Sequence, residues 1–153
     1  MSIIIYNPNL TEIHDTVKIG DGTRIGVFTS IRGSAIIGVN CIIGSHCNIC
    51  PDVIINDNVS IQTGCHITRG VRIGKMSFLG PGVITTNDKY MEYHLSPKLV
   101  APIIGEYVRI GAGVILLPGI TIGNDVIIGA GSVVTKSINN NETWFGNPAR
   151  KKK

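Results

Sequence analysis

The 153-residue sequence predicts an all-β fold, a parallel β-helix in which short strands and turns alternate around a triangular coil. An aliphatic residue occupies every sixth position over twelve consecutive sites, from Ile13 to Leu79. A small or β-branched residue follows four positions after each site, as Val17, Cys47 and Val83 illustrate. A period of six fits neither the 3.6-residue turn of an α-helix nor the two-residue alternation of an extended strand.

Residue types that tolerate positive φ recur three positions after the aliphatic sites, so we expect a corner of the coil at each of them. They are Gly22, Asn40, His46, Asp52, Asn58, Gly64, Gly70 and Gly82. Hexapeptide periodicity of this kind is typical of a parallel β-helix. If three hexads close one turn, each residue stacks on the residue 18 positions later, at the strand spacing of ~4.8 Å. The repeat resumes from Ile104 to Val134, which predicts about six coils in all.

The repeat is interrupted between Leu79 and Ile104. Residues 86–102 show no inward pattern, so we expect an inserted loop there, and long loops in compact repeats are usually functional or disordered. The chain length suits a single domain over residues 1–153, with this loop and a C-terminal tail at 139–153.

The composition argues against several classes of partner. Of the 14 basic residues, four lie at positions 150–153, so the rest of the chain is balanced and no basic nucleic-acid surface is expected. The basic end is either a frayed, solvated terminus or a local anion contact. No apolar run reaches the ~18 residues of a membrane span, and "MSIIIYNPNL" has no signal-peptide pattern, so we expect a cytoplasmic protein.

The four cysteines are predicted to be free thiols. Cys47 and Cys50 have CxxC spacing, but no second pair completes a zinc site. Cys47 and Cys65 share the small-residue column one coil apart, yet in-register parallel strands point both Cβ atoms the same way, which disfavours a disulfide. A reducing cytoplasm would also keep them as buried thiols.

The hexads, the segment "IGAGVILLPGITIGNDVIIGAGSVVTKSI" at residues 110–138 and "GNPAR" at residues 146–150 resemble the hexapeptide-repeat acyltransferases over nearly the whole chain. The resemblance implies a left-handed coil, acetyl-CoA as donor, no metal, and a homotrimer with active sites between subunits. Outward apolar residues also favour an oligomer; they are Ile36, Ile42, Ile54, Phe78 and Ile84.

The stretch "TNDKY" at residues 86–90 resembles the branch that N-acetylates nucleotide-linked (dTDP- or UDP-) 3-amino sugars for surface polysaccharide. Met-Glu-Tyr follows it, where that branch usually has Pro-Arg-Ser. By resemblance, Asn87 would orient the acceptor and Asp88 would accept a hydrogen bond from its amine; the alternative is an Asx turn that closes the last strand. Candidate acceptor-binding residues are Gln62, His66, Lys89, Tyr90 and His94.

Two Gly-Ala pairs, Gly111-Ala112 and Gly129-Ala130, lie 18 residues apart and are expected to stack. Amides in such a turn can stabilise an oxyanion. The resemblance places the pantetheine arm of the coenzyme along this groove, with Lys136 and Arg150 at its phosphates. The alternatives are corner geometry for the glycines and a solvated side chain for Lys136.

Two other functions remain open. A sugar O-acetyltransferase would use His94 as its base, although "EYHLSP" does not reproduce the His-Pro context of those enzymes, and a solenoid can also be a non-catalytic scaffold. A zinc hydratase similar to the γ-class carbonic anhydrases needs three convergent histidines. His46 and His66 are 20 positions apart rather than 18, so we do not expect that site.

Overall fold

The computed structural model describes residues 2–91 and 98–153, which form a parallel β-helix with three faces. We call them faces A, B and C. Face A contains β1 (Ile4–Ile5), β4 (Arg24–Ile25), β7 (Ile42–Ile43), β10 (Ser60–Ile61), β13 (Phe78–Leu79), β16 (Arg109–Ile110), β19 (Ile127–Ile128), β21 (Thr143–Gly146) and β22 (Ala149–Lys151). Face B contains β2 (Glu12–Ile13), β5 (Ser30–Ile31), β8 (Asn48–Ile49), β11 (His66–Ile67), β14 (Ile84–Thr85), β17 (Ile115–Leu116) and β20 (Val133–Val134). Face C contains β3 (Lys18–Ile19), β6 (Ile36–Ile37), β9 (Ile54–Ile55), β12 (Arg72–Ile73), β15 (Ile103–Ile104) and β18 (Thr121–Ile122).

The register confirms the stacking of residues 18 positions apart. Ser60 pairs with Ile42 on one side and with Phe78 on the other. Within most of the two-residue strands the first side chain points outward and the second is buried, as in β7, where Ile43 is 1% exposed. Each hexad therefore contributes one large aliphatic side chain to a core that runs along the axis of the coil.

The prediction of about six coils was slightly low. Face A stacks eight parallel strands, from β1 to β21. The first and last strands belong to no perfect hexad: a 3-10 turn (Pro8–Leu10) lengthens the first coil, so Ile5 pairs with Ile25, and Ile138 reaches face C through a single bridge to Ile122. The hand of the coil stays a prediction.

The corners carry the names of the faces they join: AB, BC and CA. All the expected corner residues have positive φ, from Gly22 to Gly82 and again at Gly113, Gly119, Asp125 and Gly131. Three bulky corner residues that the pattern did not single out also have positive φ, namely Phe28, Met76 and Tyr107. Non-glycine residues of this size rarely adopt it, because Cβ approaches the neighbouring carbonyl oxygen.

The small-residue column links each coil to the next through hydrogen bonds. Thr23 Oγ1 donates to the Gly38 carbonyl at 2.8 Å, and the Cys41 thiol donates to the Asn56 carbonyl at 3.1 Å. Equivalent thiol contacts, of 3.1 and 3.2 Å, join Cys47 to Gln62 and Cys65 to Gly80. All four cysteines are free, as predicted, and the three in this column are buried.

The C-terminal residues close the coil instead of fraying. Strands β21 and β22 pair antiparallel, and Ala149 is only 1% exposed. Lys151 Nζ lies 2.8 Å from Glu142 Oε1. Of the two alternatives for the basic end at residues 150–153, a frayed terminus is therefore wrong for Arg150 and Lys151, because a hairpin gives the last coil partners for its backbone and covers the end of the core.

The inserted loop lies at the BC corner. Arg72 in β12 pairs with Ile103 in β15, 31 positions later, whereas the other strand pairs of face C are 18 positions apart. The insertion predicted over residues 86–102 is thus confirmed as a departure between β14 and β15. Among the described residues, no helix has the length and hydrophobicity to cross a membrane.

Candidate active site

The chain leaves the regular coil at Thr85, the last residue of β14. Thr85 takes the inward position that Ile67 holds one coil earlier, and it is 1% exposed. Its hydroxyl accepts the Thr68 amide at 2.8 Å and donates to the His66 carbonyl at 3.4 Å. In the preceding coil the Cys50 amide donates instead to the main-chain carbonyl of Ile67. The threonine hydroxyl therefore replaces a ladder carbonyl at the point where the backbone turns away.

Both described ends of the loop are tied to the coil. The Thr86 amide donates to the Leu116 carbonyl at 3.0 Å. The Asn87 side-chain amide donates to the Arg69 carbonyl at 3.2 Å, and the Asn87 carbonyl accepts the Val100 amide at 2.8 Å. These bonds fix the base of the loop against the BC corner.

Asp88 makes the Asx turn that the sequence left open as an alternative. Its Oδ1 accepts the amides of Tyr90 at 3.0 Å and Met91 at 2.9 Å. The Tyr90 side chain is 64% exposed, and Lys89 Nζ lies 6.0 Å from its ring centroid. The turn holds the Asp88 carboxylate in one orientation.

The loop encloses a cleft of about 560 Å³ on face B. Four candidate residues line it together, namely His66, Asn87, Asp88 and Lys89. Tyr90 is not among its lining residues, and His94 lies outside the described residues. The sequence analysis missed several others that line the cleft: Thr68, Ile84, Thr86, Met91, Leu117, Pro118 and Thr135.

The cleft forms at the BC corner, where no glycine directly follows a described strand, whereas at most positions of the other two corners a glycine does. At the AB corner, a Cβ on Gly80 would lie 2.7 Å from the Ala112 amide nitrogen, so glycine at this position lets these two coils approach. The equivalent BC positions carry side chains, which line the cleft as Thr68, Thr86, Leu117 and Thr135. A break in the glycine pattern at a spacing of 18 was the sequence signal for these residues.

His66 projects from β11 into the cleft and is half-buried. Its Nε2 lies 3.9 Å from the Cys50 sulfur, which belongs to the coil before. Burial raises the pKa of the Cys50 thiol, although Arg32 acts in the opposite direction. The thiol therefore stays protonated near neutral pH, and Cys50 is not an activated nucleophile.

The candidate coenzyme residues form a second group at the AB corner. A Cβ on Gly111 would lie 2.5 Å from the Ala130 nitrogen, so the two Gly-Ala turns stack as expected. The same contact shows that corner geometry requires these glycines. The hairpin brings Arg150 to this end of the corner. Arg150 pairs with Phe145, and the Phe145 Cβ lies 2.8 Å from the place that a Cβ on Gly129 would occupy.

The turn amides at the AB corner differ from those at the CA corner. There, the Val39 and Glu106 amides each donate at 2.9 Å to the side chain 18 positions later, Asp57 and Asn124 respectively. Ala130 offers no such acceptor to Ala112. Within residues 2–91 and 98–153, the amides of Ala112 and Ala130 have no acceptor. This corner can therefore donate hydrogen bonds to a ligand.

Two candidates lie apart from the groups proposed for them. Lys136 follows Thr135 at the BC corner, across face B from the Gly-Ala turns. Gln62 occupies a glycine position of the AB corner, where its side chain donates to the Ser60 hydroxyl at 2.8 Å. Within the described residues, no three His, Cys, Asp or Glu side chains converge in a group that could hold a metal ion.

Comparison with known families matches two parts of this coil. The pattern described as bacterial transferase hexapeptide (six repeats) matches residues 101–136, and the hexapeptide repeat of succinyl-transferase matches residues 34–69. The chain therefore carries hexapeptide repeats on both sides of the inserted loop.

Two of the curated relatives of this chain are O-acetyltransferases by name. The putative lipopolysaccharide biosynthesis O-acetyl transferase WbbJ of Escherichia coli is 31% identical over 114 residues, which are 64% of this chain and 58% of the relative. The galactoside O-acetyltransferase of Lactococcus lactis is 54% identical over 50 residues, 33% of this chain and 24% of that protein. The chain thus spans less than two thirds of the length of these relatives.

Solved structures share the fold of this chain. AntD, an N-acyltransferase from Bacillus cereus in complex with dTDP and coenzyme A, matches with a TM-score of 0.64 and 22% identity over 99% of this chain and 82% of that one. The acetyltransferase domain of PglB from Neisseria gonorrhoeae, in complex with acetyl coenzyme A, matches with a TM-score of 0.57 and 21% identity, over 93% of this chain and 57% of that one. Perosamine N-acetyltransferase from Caulobacter crescentus, in complex with CoA and GDP-perosamine, matches with a TM-score of 0.51 and 24% identity, over 99% of this chain and 58% of that one.

Proposed function

We propose that the chain transfers an acetyl group from acetyl-CoA to the amine of a nucleotide-linked amino sugar, a dTDP- or UDP-linked 3-amino sugar used for surface polysaccharide. The observation that carries this proposal is the loop cleft, in which Asn87, Asp88 and Lys89 face His66 on face B. The names of the curated relatives and the ligands of the proteins that share the fold support the donor and the acceptor class.

The chemistry needs positioning and a proton acceptor, because a neutral amine is already a competent nucleophile toward a thioester. The amine nitrogen attacks the thioester carbonyl carbon, the C–S bond breaks, and the coenzyme leaves as a thiol. Asp88 would accept a hydrogen bond from the attacking amine and draw off its proton. Asn87, anchored by its amide nitrogen to Arg69, would present its amide oxygen to the acceptor.

The AB corner would bind the donor. Its glycines at positions 113 and 131 leave open space where a Cβ would lie, so an extended pantetheine arm can approach the backbone. The Ala112 or Ala130 amide would donate to the thioester oxygen as negative charge develops on it. Arg150 would contact the coenzyme phosphates. Because donor and acceptor residues lie at the two edges of face B, a homotrimer could bring the loop of one subunit to the AB corner of the next.

The test is release of the coenzyme thiol from acetyl-CoA with 3-amino, 4-amino and hydroxyl nucleotide sugars. We expect turnover with an amino sugar, and Asp88→Asn should lower kcat about 100-fold, within the range of general acid-base catalysis. Asp125→Asn is the matched control, because Asp125 lies at a distant corner and Asn tolerates its positive φ of 56°. Full activity of Asp88→Asn would contradict the assigned role.

O-acetyl transfer is the second candidate, favoured by the two relatives named as O-acetyltransferases and by the imidazole of His66 in the cleft. His94→Ala separates the two reactions. If Asn87 and Asp88 act on an amine, this variant should keep most of the N-acetyl transfer. A loss in kcat beyond about 100-fold would indicate that an imidazole is the base and that a hydroxyl is the acceptor.

A further inference from the structure

Two aromatic rings stack at the N-terminal end of the AB corner. The ring centroids of Phe28 and His46 lie 5.0 Å apart, with an interplanar angle of 23°. Both residues have left-handed backbone conformations, with φ of 56° and 58°, and Phe28 is 54% exposed. Burial of the rings does not account for this arrangement. Strained, exposed side chains of this kind point to a binding role.

Only one face of the His46 ring is covered by Phe28. The next residue along the same corner is Gly64, where a Cβ would meet no heavy atom within 4 Å, and Gly82 is equally open. A flat ligand placed beside Gly64 would therefore stack on His46 without displacing any protein atom. Neither of the other two corners has a stacked ring pair within the described residues.

The position of the rings along the coil indicates which ligand reaches them. The loop and its cleft lie level with Gly82 and Gly113, and the proposed donor site extends from there toward Ala130 and Arg150. An acceptor that meets the donor at the loop must extend the opposite way. His46 lies two coils before Gly82, roughly 10 Å at the ~4.8 Å spacing of strands.

We propose that the Phe28–His46 stack binds the base of the nucleotide to which the acceptor sugar is linked, an inference that rests on the proposed function. In the proposed trimer the loop of one subunit meets the AB corner of the next, and a ribose and a diphosphate can span this axial distance to the His46 of that next subunit. Gln62 and Thr63, in the turn between the two, supply polar groups for that bridge. Stacking on an aromatic face accepts any base, so the rings do not select one nucleotide. Because the acceptor sugar is linked through a diphosphate, the ligand class is a nucleoside diphosphate.

Binding of dTDP, UDP and GDP, each titrated separately by calorimetry, tests the proposal on the full chain. His46→Gly removes the ring and relieves the positive φ, so the variant should fold at least as well. We expect the Kd of the nucleotide that binds to rise roughly 5- to 100-fold, the usual effect of losing one base–aromatic stack. His46→Phe should retain binding. Met76→Gly, the same kind of change at the CA corner, should leave the Kd unchanged.

Coenzyme A also carries a base, so it is titrated against the same variants. We expect His46→Gly to leave its Kd unchanged; a selective loss of coenzyme binding would overturn the proposal and assign the stack to adenine. Equal nucleotide affinity in wild type and His46→Gly, or binding of none of the three nucleotides by wild type, would also overturn it. Nucleotide binding through His46 without acetyl transfer to an amino sugar would contradict only the proposed function.

Discussion

A single hydroxyl group governs how the backbone leaves the coil at Thr85. The other residues at this inward position of face B are aliphatic. At each of them that has a coil before it, the main-chain carbonyl, and not the side chain, accepts the amide from that coil. At Thr85 the backbone turns into the loop, and the side chain accepts the Thr68 amide instead. Since Thr68 and His66 both line the cleft, the same bond positions the floor of the site.

Thr85→Val should therefore destabilise the chain although it removes a buried polar group. The Thr68 amide would lose its acceptor in a buried position, which costs about 1–3 kcal/mol. Thr85→Ser keeps the hydroxyl and is the matched control. Urea denaturation measures the free energy of unfolding of both variants. An equal loss of unfolding free energy in Thr85→Val and Thr85→Ser would contradict the role assigned to the hydrogen bond.

The buried thiol of Cys41 adds a dependence on alkaline pH. Burial is the main cause that raises the pKa of Cys41, whereas the contact between Cys47 and Cys65 raises the pKa of Cys65 and lowers that of Cys47. The unfolded Cys41 thiol ionises at its ordinary pKa and the folded thiol only at a higher pH. The stability is therefore complete below the ordinary pKa and is lost as the pH rises toward the folded value.

Cys41→Thr should make stability less sensitive to alkaline pH. Threonine fits this column, because Thr23 and Thr29 already donate to carbonyls of the next coil. Denaturation between about pH 7.5 and about pH 10, which spans the ordinary thiol pKa of about 8.5, measures the effect. Thr29→Ser removes no thiol and should show the wild-type slope. An unchanged slope in Cys41→Thr would contradict the raised pKa.

At the scale of elements, the corners use glycine for two separate reasons. Gly111 is required because the backbone of the next coil lies where its Cβ would be. Gly113, two residues later, has open space beside it but a φ of +66°. The first glycine allows the coils to approach; the second only relaxes the turn. Elements of two residues are stable here because each one pairs with strands on both sides.

Gly113→Ala should cost about 1–2 kcal/mol, the usual penalty of a left-handed Cβ, and should fold. Gly111→Ala should cost more, because backbone atoms cannot move aside as a flexible side chain can. Gly129→Ala, whose nearest neighbour would be the Phe145 Cβ, serves as a folded intermediate case. Thermal unfolding ranks the three variants. A Gly111→Ala protein as stable as Gly113→Ala would contradict the packing argument.

For the whole molecule, the outer faces are more apolar than an isolated prism needs. Ile4, Ile42 and Phe78 are 38–47% exposed on face A, and Ile36 and Ile103 are exposed to a similar degree on face C. On face A these side chains alternate with Arg24 and Ser60 along the coil, and on face C Ile36 stacks on Ile54. Apolar side chains exposed in this number on two faces indicate a surface covered by another subunit. The proposed division of donor and acceptor residues between two edges of face B is consistent with such an assembly.

Sedimentation equilibrium should report a trimer with three times the 16.4 kDa mass of one chain. Phe78→Lys on face A and Ile103→Lys on face C place a charge on each candidate interface. We expect one of them, and not the other, to lower the mass, because a C3 assembly uses particular surfaces rather than the whole prism. A monomeric wild-type protein would exclude an active site between subunits.

The six-residue period determined the coil, its corners and its interruption, because each depends only on local geometry and on which side chains can face the axis. The start of the loop after β14 was located correctly for the same reason, whereas the roles of Asn87 and Asp88 stay predictions. The Asx turn at Asp88 could be proposed but not decided, since its acceptor bonds depend on how the loop folds back.

Contacts between distant parts of the chain were decided only by the tertiary structure. Leu117 and Thr135 reach the cleft because the insertion brings residues 31 positions apart into register, a shift that no local pattern encodes. The hairpin of β21 and β22 covers the last coil although its sequence reads as a basic tail. The division of candidates between the AB and BC corners follows from the phase of each hexad around the coil. Periodicity fixes that phase within a coil, whereas the number of residues in the loop fixes it across the interruption.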